Sequence, residues 1–349
     1  MKASVLIAPA TLELQDLECP EPGPGEVRLK VAVVGVCGSD VHYYREGAIG
    51  DQKVKYPTLL GHEPSAIIDA VGEGVEIKVG ARVAVEPALP CGKCELCVEG
   101  RGNICPNVVF LGTPPVEGIF SQFRVMPAHC CIPIPDEMSL VEAALLEPLG
   151  VGLHAVELTS VRPGETVCIL GGGPIGLVSL LAAKCAGASE IYLTDRVNER
   201  LNCAKELGAT DVLNRNEQDA QEWIMEKTGG RGVDVALEAV GVQQTVSDAV
   251  KVARIGGRVC MIGIPTVPEL SLPFHEARRK ELAIFNCRRS NREVDRCLDL
   301  VASGRLDLKT LATHHFPLEK TQEAFDLVEA YGDGVIRAMI HPNGELEST

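Results

Sequence analysis

The sequence predicts an α/β fold built from a strand-and-turn half and a doubly wound parallel sheet. Three observations predict it. Up to about residue 150, short β-branched runs alternate with turns rich in Pro and Gly. Beyond that point, short apolar strands alternate with amphipathic helical stretches, the pattern of right-handed βαβ crossovers. The first of those strands runs into LGGGPIG, a glycine turn that opens a helix.

The elements follow in chain order. MKASVLIAPATLELQD has one Lys, a short apolar piece and then acidic residues, so a first strand fits it better than an export signal. EVRLKVAVVGVC alternates and then turns apolar, which predicts a strand. SAIIDAVGEGV and GARVAVEPAL predict shorter strands broken by glycine. TVCILG predicts a buried strand, GPIGLVSLLAAKCAGA a helix closed by glycine, EIYLTD a strand and RVNERLNCAKELGA a second helix. VDVALEAVG predicts a strand, QQTVSDAVKVARIGG a helix ending in glycines, and RVCMIGI another strand. After about residue 285 the alternation weakens. REVDRCLDLVASGRL and KTQEAFDLVEAYG predict helices there, and RAMIHP a last strand. The change of character divides the chain into domains over 1–150 and 151–285.

Composition bounds the function. With 349 residues, 46% of them hydrophobic and 23% charged, the chain can bury a large core without staples. A net charge of -15 and a pI near 5.1 argue against nucleic acid and anionic lipid as partners. No apolar run reaches the roughly 18 residues of a membrane span. Fourteen cysteines in a chain without an export signal point to a reducing cytoplasm, where clustered thiols bind metal or react. Cys168, Cys185, Cys203, Cys260 and Cys297 lie in apolar or helical surroundings and read as small core residues.

Gly171, Gly173 and Gly176 have the spacing G-x-G-x-x-G between a predicted strand and a predicted helix. The glycines allow the turn, a close backbone approach to a pyrophosphate, and helix-on-strand packing. The helix N-terminus then offers free N–H groups to the phosphates. Asp195 ends the next strand, nineteen residues past Gly176, where a carboxylate accepts from a ribose 2′-OH. Its charge favours NAD over NADP, and Arg196 and Arg200 nearby soften that preference.

Cys91, Cys94, Cys97 and Cys105 follow C-x2-C-x2-C-x7-C. Two sulfurs converge in each C-x-x-C turn, and a fourth closes a tetrahedron around a structural zinc with no open position. Reactive thiols and disulfides are the alternatives. A catalytic metal needs other ligands. Cys37 in GVCGSDVHYY and His62 with Glu63 in LLGHEPSA offer one sulfur, one imidazole and one carboxylate, with room for a fourth group. Taken singly, Cys37 also reads as a core residue and His62 as a polar surface group. Glu147, alone in the apolar stretch LLEPLGVGLHAV, needs a metal, a metal-bound water or a basic partner.

Taken together, GVCGSDVH, GHE, the four cysteines, EPLGVG, GGGPIG and Asp195 resemble the zinc-dependent medium-chain dehydrogenases over nearly the whole chain, and within them the sorbitol/xylitol branch. The resemblance implies a GroES-like β-barrel catalytic domain over 1–150, completed by 286–349, with a Rossmann NAD-binding domain inserted. It implies one catalytic and one structural zinc per chain. The catalytic zinc would be held by Cys37, His62 and Glu63, with Glu147 beside it as ligand or through water and within reach of substrate. Ser39 and His42 match a proton relay, Tyr43 a substrate contact, and Ile175, Asp195 and Arg200 the NAD-binding positions. A homotetramer is usual in this branch. The implied reaction is oxidation of a secondary alcohol of a polyol by hydride transfer to NAD. One departure stands out: where that branch has Phe-Arg-Tyr, this chain has FNCRRSN. Arg288 or Arg289 replaces the arginine and no tyrosine follows, which opens the substrate to another polyol, a sugar, a sugar acid or L-threonine. A non-catalytic NAD- and zinc-binding sensor is the rival from another class, and a zinc-independent quinone reductase the rival on the same fold.

Overall fold

The structure, a computed structural model, describes residues 1–344. The chain divides into two compact units, one formed by Met1–Glu147 with the chain from Val294 onward, the other by Pro148–Glu293.

The first unit is organised around the strand Glu26–Gly35. Its alternating sequence puts Val27, Leu29, Val31 and Val33 inside, each at most 2% exposed. Each such side chain contributes about 1.5–3 kcal/mol of burial. The seven-stranded sheet runs Cys131–Pro133, Arg82–Val85, Glu63–Val71, Glu26–Gly35, Arg337–His341, Ala312–Pro317, with Phe123–Pro127 also paired to Glu26–Gly35. Arg337–His341 pairs antiparallel with Glu26–Gly35 and parallel with Ala312–Pro317. That pairing builds the C-terminal segment into the unit. Tyr44 and Phe120 both pack on Phe325, with ring centroids 5.0 and 5.6 Å from it. The N-terminal stretch forms a hairpin, Lys2–Ala8 with Thr11–Asp16, where one strand was expected. The turn is made by Pro9 and by Ala10, which takes a left-handed φ of 54°.

The second unit holds a six-stranded, all-parallel sheet in the order Asp211–Asn214, Glu190–Asp195, Thr166–Leu170, Val233–Glu238, Ala253–Met261, Ala283–Asn286. In chain order this is third, second, first, fourth, fifth, sixth, the doubly wound arrangement with its switch point beside Thr166–Leu170. Four of its elements are absent from the sequence reading: the strand Asp211–Asn214, the helix Ala220–Lys227 capped by Asp219, the helix Phe274–Arg279 and the edge strand Ala283–Asn286. The helix expected to run through the glycines of ARIGG ends earlier, as Gln243–Val252, and Ala253 already belongs to the next strand. Arg254–Gly257 then bulge out of register, since Val233 pairs with Ala253 but Val235 with Arg258. Within the bulge the Arg254 guanidinium binds the buried Asp234 carboxylate at 2.6 Å.

The helix Leu140–Leu158 was expected only as an apolar stretch, because Pro148, Gly150 and Gly152 argue against a helix. The division between the units falls within it, at Glu147 and Pro148. Among the described residues, no helix is long and apolar enough to cross a membrane.

Candidate metal and nucleotide sites

Four sulfurs converge in the first unit. One ligand atom from each of Cys91, Cys94, Cys97 and Cys105 lies within 4.8 Å of the others. Cys91 and Cys97 Sγ are 4.0 Å apart, and Cys94 and Cys105 Sγ are 3.8 Å apart. The one-turn helix Glu95–Val98 starts after Cys94 and brings Cys97 round to it. The backbone N–H groups of Cys91 and Asn107 donate to Cys105 Sγ at 3.5 and 3.3 Å. All fourteen cysteines are free thiols, so no disulfide accounts for the cluster. Backbone N–H groups of Lys93 and Cys94 lower the Cys91 pKa to about 6. Burial and the neighbouring Cys94 push Cys97 up to about 12.

Cys37, His62 and Glu63 also present ligand atoms within 4.8 Å of one another. Cys37 immediately precedes the helix Gly38–Glu46, while Glu63 opens the strand Glu63–Val71 opposite Gly35. Asp40 ties these pieces together from a fully buried position. Its Oδ2 accepts from the Cys37 N–H at 3.1 Å, and its Oδ1 from the Gly61 N–H at 3.1 Å. The same Oδ1 lies 3.2 Å from His62 Nδ1. A carboxylate on Nδ1 fixes the ring and turns Nε2 toward a metal. Burial alone would lower the His62 pKa, but Asp40 and Cys37 outweigh it and raise it well above the ordinary value. The surroundings therefore favour positive charge at this point.

Glu63 is fully buried, and its Oε1 lies 3.1 Å from Arg337 Nη2. The pair is a charge contact without an aligned hydrogen bond, and both Glu63 oxygens lack a hydrogen-bond donor. A buried carboxylate left this way is costly unless a cation approaches it. The donor set therefore fits a metal ion. Glu147 lies outside the tight three-donor set. It is 7% exposed, and its pKa is pushed up to about 8 by burial, with Glu63 and Glu86 adding to the rise and His62 and Arg337 opposing it.

Ser39 and His42 share the helix Gly38–Glu46, and no hydrogen bond joins them among the described residues. Burial lowers the His42 pKa. Tyr43 is buried and its hydroxyl donates to Gln52 Oε1 at 3.2 Å.

In the second unit, Gly171 takes a φ of 111° at the end of Thr166–Leu170, and Gly173 precedes the helix Pro174–Cys185. A Cβ on Gly176 would run into the Gly171 carbonyl oxygen, so only glycine lets the helix sit this close to the turn. Ile175 is half-buried in the first turn of the helix. Asp195 does more than the motif foretold. Its Oδ2 accepts from Gly172 N–H at 2.6 Å, and its Oδ1 from Arg196 and Val197 N–H at 2.7 and 2.9 Å. The carboxylate thus braces the glycine turn against the next strand. Arg200 is 9% exposed beneath that turn, with Nη1 3.7 Å from where a Gly173 Cβ would stand. The turn, its free helix N–H groups and Asp195 together fit a dinucleotide. Arg288 is exposed, and Arg289 next to it takes a left-handed φ of 58°.

Sequence reasoning missed Asp40 and Arg337. Arg337 left a signal, a lone cation in the apolar strand RAMIH, of the same kind that marked Glu147. Asp40 left a weaker one, an acidic residue in the first turn of a helix beginning beside a cysteine.

A doubly wound sheet with this turn in one unit, and in the other two donor sets of which one is closed and one open, belong to the class of zinc-binding, nucleotide-dependent oxidoreductases. Residues 23–136 match the alcohol dehydrogenase GroES-like domain, and residues 174–303 match the zinc-binding dehydrogenase family. The chain is 42% identical over 344 residues to a sorbitol dehydrogenase of Bacillus subtilis, covering 98% of both. It is 38% identical over 346 residues to an L-idonate 5-dehydrogenase of Vitis vinifera, covering 97% of this chain and 94% of that one. An alcohol dehydrogenase of Escherichia coli CFT073, solved with its cofactor NADH, superposes with a TM-score of 0.90 at 32% identity, covering 98% of this chain and 99% of that one. The chain is a member of the zinc-dependent medium-chain dehydrogenase family.

Proposed function

We propose that this protein is a zinc- and NAD-dependent polyol dehydrogenase that oxidises a secondary alcohol of a sugar alcohol to the ketone. The observation that carries the reading is the buried Cys37, His62 and Glu63 set, oriented by Asp40 and leaving both Glu63 oxygens without a hydrogen-bond donor. Zinc bound there supplies an electrophile that favours the deprotonated alcohol, and NAD bound at the glycine turn supplies the hydride acceptor. The chain's own residues do the rest. Asp40 holds the His62 tautomer that leaves Nε2 free for the ion. Arg337 offsets part of the Glu63 charge. Glu147, whose carboxyl pKa is pushed up to about 8 by burial, holds or releases a proton beside the donor set. Ser39 and His42 carry the proton outward, Tyr43 and Arg288 contact the substrate, and Gly171, Gly173, Ile175, Gly176, Asp195 and Arg200 bind NAD.

Cys91, Cys94, Cys97 and Cys105 hold a second, structural zinc that fixes its loop. The first unit is the catalytic domain and the second the NAD-binding domain. The active form is a cytoplasmic homotetramer. The sorbitol dehydrogenase relative supports a neutral polyol. The L-idonate dehydrogenase relative, together with the RRSN segment in place of an Arg-Tyr pair, supports a sugar acid as the second reading.

NADH formation by zinc-loaded protein, assayed across polyols, aldoses, sugar acids and L-threonine, tests this. The expected result is highest kcat/KM on a polyol. Highest kcat/KM on a sugar acid or L-threonine moves the substrate assignment, and no turnover of any alcohol overturns the enzyme reading in favour of a sensor.

A further inference from the structure

The strand Val233–Glu238 is buried along its whole length and ends in a carboxylate. Glu238 is 1% exposed. Its Oε1 accepts three hydrogen bonds, from the Val240 and Gly241 N–H groups at 2.9 and 2.8 Å and from the Thr245 hydroxyl at 2.6 Å. Oε2 is equally buried and has no hydrogen-bond donor among the described residues. The three donors belong to one short stretch. Val240 and Gly241 form the turn after the strand, and Thr245 stands in the first turn of the helix Gln243–Val252. One side-chain oxygen therefore fixes how the chain leaves the sheet, through bonds stronger than those between neutral groups.

That turn lies where the fold receives a ligand. Thr166–Leu170 and Val233–Glu238 are neighbours at the switch point, and doubly wound sheets bind ligands outside the carboxyl ends of the strands there. The turns after three strands meet at this end. The Ala239 N–H donates to the Leu170 carbonyl oxygen at 2.9 Å, and the Ile262 and Gly263 N–H groups donate to the Glu238 carbonyl oxygen at 2.8 and 3.1 Å. A Cβ on Gly171 would stand 2.6 Å from Val240 Cγ2, and one on Gly263 would run into the Gly241 nitrogen. Contacts this tight couple the turn 239–241 to the glycine turn on one side and to Ile262–Ile264 on the other. Val240 and Ile264 are nevertheless 41% and 39% exposed, apolar side chains left open at the ligand end of the sheet.

Asp195 ends the strand on the opposite side of Thr166–Leu170 and, in the proposed NAD site, takes the ribose of the adenosine half. With the pyrophosphate on the glycine turn, the nicotinamide half then runs over the ends of Val233–Glu238 and Ala253–Met261. Each half of the cofactor thus meets one buried or braced carboxylate at a strand end, Asp195 on the adenosine side and Glu238 on the nicotinamide side.

We propose, on the reading that NAD binds at the glycine turn, that Glu238 is a positioning residue for the nicotinamide half: it holds the turn 239–241 in the shape against which the nicotinamide riboside seats. Without an acceptor at Oε1, the Val240 and Gly241 N–H groups lose their partner, and the turn must move to bring them to water. The nicotinamide half then loses its seat, while the adenosine half keeps Asp195 and the glycine turn.

Affinities for NADH and for ADP, measured by isothermal titration calorimetry on the zinc-loaded enzyme, test it. ADP carries the adenosine and the pyrophosphate and lacks the nicotinamide riboside. Glu238→Ala is expected to weaken NADH by about tenfold or more and to leave ADP unchanged. Glu238→Gln keeps an oxygen that can accept from the same three donors, so it should restore most of the NADH affinity. Should Glu238→Ala fail to fold, as checked by circular dichroism, Thr245→Val removes one of the three donors and should weaken NADH by about threefold with ADP unchanged. Equal weakening of both ligands in the folded variants, or weakening of neither, would mean that Glu238 serves the fold alone and would overturn the proposal. So would a Glu238→Gln enzyme as weak toward NADH as Glu238→Ala. A wild type that binds neither NADH nor ADP would overturn the NAD site itself, and the proposal with it.

Discussion

The two donor sets of the first unit differ in almost every physical respect. The four sulfurs of Cys91–Cys105 occupy a short loop, three of them half-buried, and supply every ligand a tetrahedral ion can take. Cys37 on one side, and His62 with the adjacent Glu63 on the other, come from two distant stretches of the chain and are braced by a buried Asp40 and a buried Arg337. They supply three ligands of three kinds. The contrast teaches that a ligand's supporting shell marks the working site better than its ligand count. The closed set leans on its own backbone amides. The open set leans on charged side chains whose burial is expensive and serves no purpose without an ion to balance.

That contrast can be broken most forcefully at Cys37. Cys37→Ser should lower kcat/KM by about 1000-fold or more, equivalent to about 4 kcal/mol of transition-state stabilisation. Nucleotide affinity, measured by NADH fluorescence, should change little. Comparable turnover in the variant would show that the open set is not where the chemistry happens. Cys94→Ser should do the reverse. It should destabilise the closed lobe by several kcal/mol, seen as a lower melting temperature, because binding energy at a structural zinc is folding energy. The metal at the open set should be retained. A variant with unchanged melting would deny the lobe a structural role.

Asp40→Asn sharpens the comparison at intermediate cost. Asparagine still accepts a hydrogen bond but carries no charge to His62. Zinc at the open set should weaken 10- to 100-fold against a competing chelator, with the closed set unaffected. Equal weakening at both sets would point to general unfolding instead.

The smallest effect lies in the second unit and concerns pH. Asp234 accepts hydrogen bonds from Arg231, Arg254 and Thr166, which outweigh its burial and hold its pKa below the ordinary carboxylate value. A depressed pKa stabilises the fold above the unfolded value near 3.8, and that stability is lost as pH falls further. Asp234→Asn should cost about 1–3 kcal/mol at pH 7. The difference from wild type, followed by urea unfolding, should shrink below about pH 4. A difference that stays constant with pH would mean that Asp234 acts through packing alone.

Which features were legible in the sequence follows from how far apart their parts lie. The glycine turn and the four cysteines are local, so spacing alone announced them. The alternation of Thr166–Leu170, Glu190–Asp195 and their helices was legible for the same reason. The helix Leu140–Leu158 was not, because Pro148, Gly150 and Gly152 speak against a helix locally while tertiary packing decides in its favour. The strand Asp211–Asn214 is only four residues long and half-buried, too short to show a period. Glu63 and Arg337 are distant in sequence yet 3.1 Å apart, and no single-sequence pattern links them. The bracing of Gly172 by Asp195 was hidden because the motif assigns that carboxylate to a ligand, whereas here it also serves the turn.

The central claim is that Cys37, His62 and Glu63 together hold an ion of their own. Zinc content per chain of wild type and Cys37→Ser, purified side by side in zinc-replete buffer and measured by inductively coupled plasma mass spectrometry, tests it most directly. The account predicts that Cys37→Ser contains one zinc fewer than the wild type while the ion of the four cysteines is kept. Equal zinc in the two proteins would contradict it.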